Sequence, residues 1–191
     1  MEEKKQSFFK RHFTVRNIVL NGVIAALYAA ITIACGPLSY EFMQFRFSEL
    51  LNLLVFFNPT TTVGLTLGCL IANLFSSVGP IDIAIGTSTT LVACIIMIFY
   101  SKLTKNLFTT GLIPCFLNAV TVPFSIYLST LGTSGEFFLE PIIFFTMFGW
   151  VFLGEFVCIC CVGYPIFMVL TKTNPRFYEL IGATMNTDYK W

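Results

Sequence analysis

Arg46 stands apart from every other cation in this chain. Of the eleven Lys and Arg residues, ten fall in three places: the N-terminal tail (Lys4, Lys5, Lys10, Arg11, Arg16), a stretch past residue 100 (Lys102, Lys105) and the C-terminal tail (Lys172, Arg176, Lys190). Arg46 lies between two strongly apolar segments, in Phe45-Arg46-Phe47-Ser48-Glu49. A guanidinium in such surroundings needs a polar partner, either structural or a ligand. Glu155 raises the same question midway through Trp150-Val151-Phe152-Leu153-Gly154-Glu155. An ionisable side chain there costs about 2.5–3.5 kcal/mol on insertion scales, so it must face a cavity or a partner. Asn52, Asn73 and Asn118 also sit in apolar context, each offering two donors and an acceptor. Singly, each amide fits an interhelical hydrogen bond; with Arg46 and Glu155 they outline a polar pocket. Asp82, just after Pro80, either caps a helix or contacts a ligand. Glu140 before Pro141 is expected to cap, and Glu41 and Glu136 to be solvated loop charges.

These residue types recognise rather than catalyse. The sequence has no HExxH, Walker A or GxSxG pattern, and its single His, His12, lies in the basic tail. No enzyme activity is expected, and the chain cannot hydrolyse ATP itself. The seven cysteines lie in apolar runs, where free Cys packs as a small hydrophobe. A metal site would want His or acids close by, so no metal is expected.

Composition says what must position these groups. The chain is 56% hydrophobic, 16% aromatic and 11% charged, with a mean hydropathy of +0.81. Ordinary soluble domains carry roughly 25% charged residues. The expected class is an all-α integral membrane protein. Its 191 residues suffice for about six helices of the ~20 residues that span a bilayer core. The expected layout is a basic tail (1–17), a six-helix bundle (18–171) and a second tail (172–191). A net charge of +1 offers little to neutralise a phosphate backbone, so nucleic acid is not an expected partner.

Apolar runs fall at about 18–39, 50–57, 60–75, 81–100, 107–129 and 140–171. The first is too long for a signal-peptide core, so a retained helix is expected. The second is too short to span; it either continues from Phe42 through Phe57 or forms a short buried helix beside a ligand site. The last exceeds one crossing, and so tilts, extends past the bilayer, or breaks near Gly163-Tyr164-Pro165. Six crossings put both termini on one side. The positive-inside rule then places ten cations in the cytoplasm, and Arg46, Glu41, Asp82, Glu136 and Glu140 outside. A multi-pass protein of a bacterial-type cell membrane is implied.

Small residues recur at helical spacing: Gly22, Ala26 and Ala30, with Ala25 and Ala29 beside them, and Gly64, Gly68 and Ala72. Small faces let backbones approach where lipid supplies no hydrophobic drive. The later stripe is expected to pack within the bundle. The earlier one fits packing or docking to another membrane subunit equally well.

Arg46-Phe47-Ser48-Glu49 followed by Gly64-Leu65-Thr66-Leu67-Gly68-Cys69-Leu70-Ile71-Ala72-Asn73 resembles the queuosine-precursor transporter (QueT) family. So do Asp82-Ile83-Ala84-Ile85-Gly86 with Thr90-Leu91, Pro114 with Asn118-Ala119, Leu153-Gly154-Glu155, and Ala26-Leu27-Tyr28. These islands run in the family's order from residue 22 to about 165. Leu50 and Leu51 are bulkier than the small residue expected after the glutamate, and Thr61-Thr62 replaces a more proline-like approach to Gly64; both bear on the substrate. The resemblance implies a substrate-binding S component of an energy-coupling factor (ECF) importer. It would work with a membrane scaffold, the T component, and two cytoplasmic ATPases that use ATP; this chain would bind no cofactor. It also assigns the small face of the first helix (Gly22, Ala25, Ala26, Ala29, Ala30) to docking on the scaffold.

The implied substrates, preQ0, preQ1 or queuine, are flat 7-deazaguanines with adjacent N–H donors on one edge and a carbonyl beside them. A buried carboxylate accepts two such N–H bonds, and amides read the carbonyl. Glu155 is the expected reader of the donor edge, with Asn73 or Asn118 at the carbonyl. Phe47, Phe152 or Trp150 would stack on the ring. Arg46 and Glu49 would close the outer mouth, or else form a local i,i+3 pair worth only ~0.5 kcal/mol. Asp82 or Glu49 would balance the charge of an aminomethyl precursor. Alternatives are an S component for riboflavin, thiamine or biotin, and a small channel or self-sufficient transporter. A channel needs a continuous polar stripe, which the cytoplasmic half lacks.

Overall fold

Polarity is inverted in the folded chain. Glu49, Asn52, Asn73, Asp82 and Glu155 are buried, while Leu67, Leu74, Phe99, Phe124, Ile142 and Phe145 are exposed. An apolar exterior on this scale is a surface made for lipid. The computed structural model describes residues 14–36, 45–76, 79–134, 141–174 and 176–187, with the backbone alone for 132–134. Glu41, Glu136, Glu140, His12, Lys190, the basic tail through Arg11, and any extension of the second run back to Phe42 lie outside these residues.

Every regular element among the described residues is helical. α1 (Val15–Ala34) starts at Thr14, whose hydroxyl accepts from the Asn17 amide. A 3₁₀ helix (Phe47–Phe56) and a short 3₁₀ turn (Pro59–Thr61) lead into α2 (Thr62–Asn73). α3 (Pro80–Thr104) carries proline in its first turn, where no intrahelical donor is lost. It turns tightly into α4 (Leu107–Ser134) at Asn106, whose side chain accepts from the Thr109 amide. α5 (Pro141–Phe156) continues through a π-helical stretch (Val157–Gly163) into α6 (Tyr164–Thr173), and α7 (Arg176–Leu180) follows.

Among the described residues, four helices are long and apolar enough to cross a membrane: Val15–Ala34, Pro80–Thr104, Leu107–Leu131 and the continuous Pro141–Thr173. The second and third apolar runs differ from full crossings. At about 2.0 Å per residue the 3₁₀ helix is roughly 20 Å long, and α2 at about 1.5 Å per residue roughly 18 Å. Both fall short of a ~30 Å hydrocarbon core. The 3₁₀ helix is buried among the other helices, whereas α2 packs one face inward and leaves Val63, Leu67 and Ile71 exposed. The last run does not break near Gly163-Tyr164-Pro165: it stays helical through Thr173 and widens into a π stretch that ends just before Tyr164-Pro165. Proline lacks an N–H and its ring crowds the preceding turn, which a widened helix accommodates.

The core is built around the 3₁₀ helix. Leu53, Val55, Phe56 and Phe57 are fully buried, among Leu65, Cys69, Cys94, Met97, Cys115 and Ile159. Gly111 and Gly163 admit it: a Cβ at Gly163 would lie 2.9 Å from Leu50 Cβ, and one at Gly111 3.2 Å from a Leu53 methyl. Most cysteines are packing residues here; Cys158 is buried and Cys161, three residues on, exposed.

The stripe Gly64–Gly68–Ala72 packs against α1, as its spacing suggests. A Cβ on Gly68 would lie 2.7 Å from Tyr28 Cβ and 2.9 Å from the Ala25 carbonyl, and one on Gly64 2.6 Å from the Asn21 carbonyl. Most of these neighbours are backbone and cannot swing aside. Gly68→Ala is therefore expected to destabilise the protein by about 1–3 kcal/mol, the usual range for overpacking. The check is a lowered Tm in detergent; an unchanged Tm would mean the α1–α2 contact is not tight.

Candidate ligand-binding site

The 3₁₀ helix carries the polar residues into the bundle. In a 3₁₀ helix residues three apart eclipse, so Asn52 stands over Glu49 and donates to its Oε2. Tyr28 of α1 donates to Glu49 Oε1. Beside them the hydroxyls of Ser48 and Thr32 share a 2.6 Å hydrogen bond. Glu49 is fully buried with both oxygens engaged. The local i,i+3 ion pair with Arg46 therefore does not form. Arg46 precedes the helix with non-helical backbone (ψ 83°), which sends its guanidinium towards another element.

That element is α3. Arg46 Nη2 lies 3.8 Å from Asp82 Oδ2, and both side chains are nearly fully buried. Asp82 makes no cap of α3. Its carboxylate accepts instead from Ser76 Oγ at 2.6 Å and Ser125 Oγ at 3.2 Å. Asn73, at the end of α2, lies over Gly86, and its amide approaches the Asp82 carbonyl and Cys69 Sγ at 3.4 Å each. Thr90 donates to the same sulfur at 3.2 Å.

Deeper in the bundle, Asn118 of α4 donates to Glu155 Oε1 at 2.9 Å. The two halves of the network meet at Glu49, which has both Arg46 and Asn118 as polar neighbours. Arg46, Glu49, Asp82 and Glu155 are the buried charged residues among those described, so three carboxyl groups face one guanidinium.

Arg46, Glu49, Asn73, Asp82, Asn118 and Glu155, scattered over more than a hundred residues of sequence, thus form one connected constellation. Asn52, Tyr28, Ser48, Thr32, Ser76 and Ser125 complete it. Tyr28 and Ser48 stand within the resemblance islands; otherwise Tyr28 and the hydroxyls carry no sequence signal of their own, since their partners lie on other elements. The aromatic residues divide. Phe47 is half-buried at the head of the 3₁₀ helix. Phe152 stacks between Phe148 and Phe156 at 6.2 Å each and touches Phe116 at 4.9 Å, which makes it part of an aromatic ladder. Trp150 is 42% exposed and stands about 140° around the helix from Glu155, turned away from the constellation. The α1 stripe divides too. Ala25 and Ala29 are buried against α2, which removes them from an outward docking face. Gly22, Ala26 and Ala30 point outward.

Several buried polar atoms of this constellation have no hydrogen-bond partner: Arg46 Nε and Nη2, Asn52 Oδ1, Asn73 Oδ1 and Glu155 Oε2. Buried polar groups are ordinarily satisfied, because an orphan costs about 1–3 kcal/mol. Three unmet acceptors and two unmet donors on connected residues form a template for a hydrogen-bonding ligand.

The sequence model of the QueT transporter family matches residues 18–172, from α1 to the end of α6. The queuosine precursor transporter QueT of Lactococcus lactis subsp. cremoris (strain MG1363) is 32% identical over 143 residues, covering 73% of this chain and 83% of that protein. No solved structure matches the chain. Four apolar spanning helices and a transporter family together describe a multi-pass membrane transport protein. On a match that takes in the whole bundle and every polar residue of the constellation, the chain belongs to the QueT transporter family.

Proposed function

We propose that this chain is the substrate-binding S component of an ECF-type importer and takes up a queuosine precursor, a 7-deazaguanine, across the bacterial cell membrane. The observation that carries the reading is the set of orphaned buried atoms around Arg46 and Glu155. Glu155 Oε2 and the Asn52 and Asn73 carbonyl oxygens want N–H donors, which the guanine-like edge presents side by side. Arg46 has donors to spare for the ring carbonyl. Glu49 is spoken for by Tyr28 and Asn52, so Glu155 is the reader of the donor edge. The excess of carboxyl groups over guanidinium favours a donor-rich ligand, and an aminomethyl arm would lie well beside Asp82.

Arg16, Lys102, Lys105, Lys172 and Arg176 lie at the end of the bundle away from Arg46 and Asp82, which supports cytoplasmic termini and an outward-facing mouth. The two half-length limbs make up the six-helix arrangement. Scaffold docking falls to Gly22, Ala26 and Ala30, with ATP hydrolysis left to two partner ATPases. Substrate would enter from outside and leave inward as the subunit reorients against the scaffold.

Calorimetric titration of purified protein with 7-deazaguanines, riboflavin, thiamine and biotin tests the substrate. Submicromolar binding of a deazaguanine alone is expected; tight binding of a different vitamin would overturn it. Co-purification with an ATPase pair tests the S-component role, and a chain that transports in vesicles without them would refute it.

A further inference from the structure

The helix that carries Arg46, Glu49 and Asn52 ends at Phe57, and its last carbonyls are closed by the C-terminal segment. The amides of Thr184 and Met185 both donate to the Phe57 carbonyl at 2.9 Å. Asn186 Nδ2 donates to the Phe56 carbonyl at 2.8 Å, and Asn58 Nδ2 returns a bond to the Ile181 carbonyl at 2.7 Å. Around these bonds Phe57 packs with Phe167, Phe177 and Tyr178, ring centroids 5.8–6.3 Å apart. Local chemistry shapes the segment for this seat. Asn174 starts α7 by accepting from the Arg176 amide. Gly182, at φ +60°, ends it, with Ala183 N bonding to Tyr178 O and Gly182 N to Glu179 O, the paired pattern of a Schellman turn. Asn186 has a positive φ of 51°, which asparagine tolerates well. The segment also reaches α1, where Arg16 donates to the Glu179 carbonyl.

Two features make this more than a capped end. A ten-residue 3₁₀ helix is longer than the three or four residues usual for that geometry, and such stretches often mark hinges. The segment also lies beyond residues 18–172, which the family model matches. The bundle and its site are therefore described without it, yet it holds one end of the helix whose other end bears the site.

We propose that residues 176–187 form an inner latch: docked, they hold the 3₁₀ helix in the register that assembles the site, and their release loosens the site and lets the ligand leave inward. The proposal rests on the binding reading above and adds to it how the site is held and let go. Such coupling is reciprocal, so ligand must tighten the latch by the factor by which the latch tightens ligand binding.

Hydrogen–deuterium exchange on the full chain in detergent, with and without 7-aminomethyl-7-deazaguanine, tests this. Saturating ligand is expected to slow exchange of the Thr184 and Met185 amides at least tenfold, although neither belongs to the site. The double variant Phe177→Ala/Asn186→Ala is expected to speed ligand dissociation at least tenfold, and without ligand to speed exchange across 47–57 more than across α3 and α4. Unchanged exchange at Thr184 and Met185 on ligand binding would overturn the latch. So would a variant of lowered Tm but unaltered dissociation rate, which is what a merely structural cap predicts. If the variant does not fold, the exchange measurement on the unaltered chain decides alone. If the intact chain binds no deazaguanine, the proposed substrate fails; the ligand-free comparison then judges the latch, and a uniform change across the bundle would refute it.

Discussion

Glu155→Gln is expected to weaken deazaguanine binding by about 1.5–3 kcal/mol, the range for hydrogen bonds to charged groups, and so at least tenfold in Kd. The substitution keeps size and shape, and the new amide oxygen still accepts from Asn118, which donates to Glu155 Oε1 at 2.9 Å. The change falls on the other atom. Oε2, buried and without a partner, becomes an NH₂ group, a donor facing the donor edge of the ligand. If Glu155 reads the donor edge as proposed, two donors then meet and both are left unpaired, each with its own desolvation cost. Calorimetry on the folded variant reads the effect, and unchanged affinity would remove Glu155 from the site. Trp150→Ala serves as the control: its side chain is 42% exposed and turned from the constellation, so Kd should stay within about twofold, a few tenths of a kcal/mol.

Asp82→Ala should act on the fold itself. Arg46 and Asp82 form the ion pair of the described residues, with side chains 4% and 2% exposed. Removing one partner of a buried pair leaves the other charge uncompensated, at about 3–5 kcal/mol. Ser76 and Ser125 lose the Asp82 carboxylate as an acceptor together with Arg46, and Ser125 keeps a bond to the Val122 carbonyl. Thermal unfolding followed through the buried thiols of Cys69, Cys94 and Cys115, labelled as they become accessible, measures the loss. Arg46→Met/Asp82→Leu is expected to recover most of it, because replacing both charges with apolar residues is often neutral. A double variant no more stable than Asp82→Ala would show the two residues uncoupled. It should still bind no deazaguanine, since the donors of Arg46 are gone.

These predictions draw on residues that differ in how they could be found. Arg46, Glu49, Asp82 and Glu155 were visible in the bare chain because charge inside apolar sequence is costly, and a costly residue that persists must have a partner. Asn73 and Asn118 were legible on the same ground. Tyr28, Ser76 and Ser125 were not. A tyrosine or serine is cheap almost anywhere, and only the approach of α1, α2 and α4 to one another brings their hydroxyls to Glu49 and Asp82. The alternatives left open for Asp82 and for Arg46 with Glu49 were likewise decided by geometry. Asp82 turns inward rather than capping α3, and the 3₁₀ twist hands Glu49 to Asn52.

The same division holds for the architecture. Composition and the length of the apolar runs were enough for an all-helical membrane protein, with long runs at about 18–39, 81–100, 107–129 and 140–171 where the structure has helices at 15–34, 80–104, 107–131 and 141–173, since hydrophobic length is a local property that the bilayer reads directly. The widening before Pro165 has an equally local cause in the proline. What the runs could not convey was that residues 47–56 form a 3₁₀ helix at the centre of the bundle and that α2 is a half-length limb. An apolar stretch of about ten residues suits a buried core helix or part of a span alike, and only its neighbours choose. Nor did the spacing of Gly22, Ala25, Ala26, Ala29 and Ala30 reveal that one side of the stripe would be used up against Gly64 and Gly68. A small residue advertises that something can come close, and the fold decides what does. The contact between Thr184, Met185 and Asn186 and the end of the site-bearing helix joins residues 130 apart in the chain; no periodicity reaches that far.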